Sequence, residues 1–112
     1  MADRHALWRR VALDVERLHK SAPEGHVVVV LVFISGRTAP VEAGFVSTNR
    51  NPDYPYVRIE TEGAAGVDDK AHPSARWIHV HESLIDRVEI AFKQAPEGYD
   101  FSRFRVTDEL EE

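Results

Sequence analysis

The sequence predicts an α+β fold: an N-terminal helix packed on a strongly bent five-stranded antiparallel sheet or small barrel. Three observations carry the prediction. Residues 3–20 place apolar side chains at helical spacing. Residues 26–35 are too β-branched for a helix, with Val27, Val28, Val29, Val30 and Val32 in one run. The later segments are short and mostly alternate apolar with polar residues, separated by turn-rich stretches. The alternative is an open helix-on-sheet α+β domain, and the expected distinction is whether the first strand pairs with the fifth. A chain of 112 residues suits a single domain spanning 1–112.

In the helix, Leu7, Val11, Val15 and Leu18 form the predicted buried stripe, widened by Trp8 and Ala12. Asp3 suits the N-cap, and Ser21 to Gly25 stops the helix with turn residues. The first strand, 26–35, is apolar on both faces and must be covered on both. The second, 41–48, holds Gly44 beside Phe45, a natural place for a bulge. In the third, 56–62, alternation turns Val57, Ile59 and Thr61 inward and Tyr56, Arg58, Glu60 and Glu62 outward. Gly63 to Ser74 reads as the longest loop. Strands four and five span 76–82 and 86–93, joined by a link fit for a tight turn or one 3₁₀ turn. In the fifth, Val88, Ile90 and Phe92 share a face. Tyr99, Phe101, Phe104 and Val106 retain enough apolar surface to pack somewhere, and about 107–112 is an acidic C-terminal tail.

Composition excludes several classes of chemistry. There are no cysteines, so disulfides, thiolate metal sites and cysteine nucleophiles are absent. Residues 97–112 carry six acids against two arginines, while the other 96 residues hold 12 basic and 13 acidic side chains. That balance offers no basic footprint for phosphates, so nucleic acid is not the expected partner. No apolar run is long enough to span a bilayer and no leader pattern opens the chain, so the cytoplasm is the expected location. Phosphate loops and the common hydrolase and dinucleotide motifs are missing. Catalytic residues stay unassigned and no cofactor is expected. Ser83, His81 and Asp86 stand close in sequence, which is no argument for a triad.

The most distinctive pattern is Trp77-Ile78-His79-Val80-His81. With Ile78 and Val80 inward, Trp77, His79 and His81 share the outer face. Two imidazoles so spaced can hold a zinc or copper ion, but a site needs a third or fourth ligand, such as Glu60 or Glu62. No metal is therefore assigned. If the third and fourth strands are antiparallel neighbours, Tyr56, Arg58, Trp77, His79 and His81 form one contact surface of residue types that dominate binding hot spots. The expected function is a non-enzymatic binding or assembly module whose partner is itself, as a homo-oligomer, or another protein. The alternative is a small metal-dependent protein using His79 and His81.

A resemblance accompanies this reading. Phe33-Ile34-Ser35-Gly36-Arg37 followed by Gly44-Phe45-Val46 resembles the first motif of Sm-like and SH3-like small β-barrels. Val57-Arg58-Ile59-Glu60 is similar to the third strand, and residues 78–90 resemble the second motif, two strands joined by a one-turn link. The resemblance implies a barrel, and RNA contact through an Arg-Gly-Asn stretch that would fall at His81-Glu82-Ser83. That segment lacks the arginine and the glycine, which leaves weak Sm-like RNA binding as a third reading.

Overall fold

The computed structural model describes residues 4–49, 51, 53–61, 77–94 and 104–108. Helix α1 is Arg4–His19, followed by β1 His26–Ile34, β2 Val41–Ser47, β3 Tyr56–Thr61 and β4 Trp77–His81. A 3₁₀ turn, Glu82–Leu84, leads into β5 Ile85–Gln94, and β6 is Arg105–Thr107. Asp3, Glu62, residues 63–74 (expected as a loop), Arg76, Tyr99, Phe101 and Glu109 to Glu112 lie outside the described residues.

The helix buries Trp8, Val11 and Val15, with Ala12 packed against them, while Leu7 stays 52% exposed. Leu18 is half-buried. The expected stripe is therefore rotated toward Trp8. Adjacent helical positions point about 100° apart, so a buried face centred on Trp8, Val11 and Val15 leaves Leu7 at its margin. Trp8 carries the larger apolar surface and takes the inward position.

The strand order is β4-β3-β2-β1-β5, with every neighbouring pair antiparallel. β1 pairs with β5 along its whole length, from His26 opposite Gln94 to Ile34 opposite Ile85. The sheet nevertheless does not close into a barrel, because β4 and β5 remain the two ends of the order. Pairing of the first strand with the fifth is thus necessary for closure and not sufficient. Curvature is still strong. Four inter-strand spacings would set β4 and β5 about 19 Å apart in a flat sheet, whereas a three-residue 3₁₀ turn advances only about 6 Å. The sheet must curl to bring those strand ends to one corner. Backbone bonds pin the corner: Ser35 N–H donates to Leu84 O at 2.7 Å, and Glu82 N–H to Pro55 O at 2.8 Å.

A short sixth strand adds to the expected helix on a five-stranded antiparallel sheet. Residues 105–107 run parallel to β2, with Phe45, Val46 and Ser47 opposite Arg105, Val106 and Thr107. Thr107 is therefore strand and not tail. Phe104 anchors β6 by burying its ring in the core. That core is one cluster under α1, formed by Trp8, Val11 and Val15 with Val30, Val32, Val46, Val57, Ile59 and Val80.

Candidate recognition face

On the sheet face opposite the core, β3 and β4 bring the five expected residues together. Tyr56 stands opposite His81, Arg58 opposite His79, and Glu60 opposite Trp77. The register follows from alternation: Val57 and Ile59 are fully buried and Val80 nearly so, which sends their neighbours outward. Trp77 is 59% exposed and Tyr56 39%, a large aromatic area left in water.

Side-chain contacts knit the face into a platform. The Arg58 guanidinium lies over the Trp77 ring at 5.1 Å, a contact worth about 0.5–1 kcal/mol at an exposed site. Its Nη2 also donates to Ser47 Oγ at 3.4 Å and approaches Glu60 Oε2 at 3.6 Å. Arg58 Nε is buried without a hydrogen-bond partner. Tyr56 meets the His81 ring edge-on at 5.2 Å and Tyr54 at 5.4 Å. The residues that sequence reasoning missed are Ser47 and Tyr54. Ser47 lies two strands away from β4 and enters through the β2–β3 register. Tyr54 sits in the turn held by Asn49, whose Nδ2 donates to Tyr54 O at 3.1 Å.

His81 has a second role. Its Nδ1 accepts the Ser83 N–H at 3.1 Å and lies 2.7 Å from Ser83 Oγ, capping the 3₁₀ turn. Ser83 and His81 thus meet, yet no contact joins Asp86 to them among the described residues. The pair is exposed and reads as a cap. His79 is exposed beside Arg58. Glu60, the suggested third metal ligand, is engaged with Arg58 and stands opposite Trp77. Glu62 lies outside the described residues. Among the described residues no three His, Asp or Glu side chains gather in a metal-binding group, and no helix is long and apolar enough to cross a membrane.

The chain matches no family model, no curated protein and no solved structure with which it was compared.

Proposed function

We propose that the chain is a non-enzymatic binding and assembly module whose contact surface is the Tyr56, Arg58, Trp77, His79 and His81 face. The observation that carries this reading is Trp77. A tryptophan 59% exposed on a strand, braced from one side by Arg58, is oriented to receive a partner. Aromatics and arginine together supply rigid, low-entropy contact area. A carboxylate-bearing protein segment suits the face, since Arg58 and the two imidazoles offer ring and guanidinium N–H donors there. Self-association belongs to the same reading: β4 and β5 are open edges among the described residues, and proteins cover such edges by pairing. The resemblance to Sm-like and SH3-like small β-barrels remains part of the proposal. Cytoplasmic residence remains part of the proposal.

The test is retention of proteins from a cell extract by immobilised wild type, Trp77→Ala and Arg58→Ala. A species kept by wild type and lost by both variants is expected. Identical retention by all three overturns the assignment of the face. A chain that stays strictly monomeric at high concentration in sedimentation overturns the self-association.

A further inference from the structure

Beyond the recognition face, β5 is the longest strand and ends the sheet opposite β4. Its core-facing side chains are poorly covered. Val88 and Ile90 are only half-buried although they stand opposite the fully buried Val32 and Val30, and Phe92 is 43% exposed. The other face carries a charge sequence, Arg87, Glu89, Ala91, Lys93, set opposite Phe33, Leu31, Val29 and Val27. Arg87 lies 3.8 Å over the Phe33 ring and 2.7 Å from Glu89, while Lys93 bonds Glu42 at 3.2 Å. Thus one edge presents an uncovered apolar row and a patterned charged row.

The two rows together select a partner. A two-fold axis normal to the sheet pairs β5 antiparallel with a second β5 and keeps each side chain on its own face. Four axis positions pair seven or more of the ten β5 residues. An axis at Glu89 sets that carboxylate against its own copy and Asp86 against Phe92. At Ile90 it opposes Arg87 to Lys93. At Val88 it matches Arg87 with Glu89 but places Asp86 against Ile90 and leaves Phe92 outside. At Ala91 the charges and the central apolar residues match: Glu89 meets Lys93 twice, Ile90 meets Phe92 twice, a small residue occupies the axis, and only the terminal pairs set Val88 against the uncharged Gln94.

We propose that two copies of this chain associate edge to edge through β5, antiparallel, with the two-fold axis at Ala91. The inference rests on the self-association part of the proposed function and assigns it an edge and a register. β4 lies at the other end of the sheet, so the dimer leaves Trp77 open to a different partner. A seven-residue strand pair is smaller than the roughly 1,200 Å² of stable complexes, so association is weak and concentration-dependent.

Charge reversal and cross-linking test the register. Sedimentation of wild type should show dimer rising with concentration. E89K and K93E should each weaken it about tenfold, since two cross-strand attractions become repulsions. The double variant E89K/K93E should restore it. The chain has no cysteine, so A91C offers a single thiol, and directly opposed strand residues are close enough to bridge with slight adjustment. Oxidised A91C should run as a covalent dimer and E89C should not. A strictly monomeric wild type overturns this proposal together with self-association. Association that ignores E89K and K93E, with A91C left uncross-linked, overturns the β5 assignment alone. Rescue of E89K by R87E in place of K93E overturns the Ala91 register.

Discussion

Replacing Val11 by aspartate tests the placement of the helix most directly. Val11 is 6% exposed and belongs to the core cluster between α1 and the sheet. Losing the buried isopropyl group costs about 1.5–3 kcal/mol. A carboxyl left without a hydrogen-bond partner adds about 1–3 kcal/mol even when it stays neutral. The sum, about 2.5–6 kcal/mol, is a large fraction of the 5–15 kcal/mol that stabilises an ordinary domain. At about 4 °C or more per kcal/mol, the melting temperature should fall by at least about 10 °C. Burial raises the carboxyl's pKa, so the native variant holds a proton that the unfolded chain releases. The deficit relative to wild type therefore grows as pH rises above about 3.9 and is smallest in acid. Leu7→Asp is the control. Leu7 is 52% exposed in a first helical turn without acidic residues, so its loss should be within about 0.5 kcal/mol, offset by the helix dipole. Calorimetry of both variants from pH 4 to 8 reads these differences. Unchanged melting of Val11→Asp, or equal losses for the two variants, refutes the helix placement.

Thr48 is fully buried, bonded to His5 Nδ1 at 2.7 Å and to Thr107 O at 3.3 Å; Thr48→Val should cost about 1–3 kcal/mol, read as a lower urea midpoint at unchanged slope. Ending the chain after Thr107 keeps β6 and should leave melting nearly unchanged. Ending it after Phe104 strips the acceptor from the Thr48 N–H, which donates to Thr107 O at 2.8 Å, and should destabilise by about 1–3 kcal/mol. RNA and DNA oligonucleotides should bind weakly and be released at about 150 mM salt, where few phosphates are neutralised and steering is screened; retention there identifies a basic surface absent from the charge balance.

The outer face of β3 and β4 was legible in the sequence because alternation is a strict rule on a half-buried strand. Once Val57, Ile59 and Val80 are inward, Arg58, Trp77 and His79 have no other side. The 3₁₀ turn was legible too, since three residues leave no room for a crossover. The helix was misjudged by a fraction of a turn because Leu7 and Trp8 compete for one position and hydrophobicity alone does not rank them. β6 was missed for a different reason. Arg105, Val106 and Thr107 are too few to show a period, and their strand character comes from the β2 edge they meet.

That meeting also explains why the sheet stays open. β1 pairs with β2 only over Val30 to Val32, opposite Ala43 to Val41. Beyond them the β2–β3 register shifts between Ala43 and Phe45, at Gly44, and β2 takes β6 along the edge that β1 has left. The sheet is thus two halves, β1 with β5 and β2 with β3, β4 and β6, joined by three residue pairs. The proposed recognition face belongs to one half and the proposed assembly edge to the other. Closure into a barrel would have consumed the free edges of both β4 and β5. Kept apart, the two surfaces should act independently. The effects of Trp77→Ala and Glu89→Lys on dimerisation and on partner binding should therefore add within about 0.5 kcal/mol in the double variant. A larger coupling, measured by titration of the partner into wild type, single and double variants, would mean that the halves move as one and that assembly gates the Trp77 face.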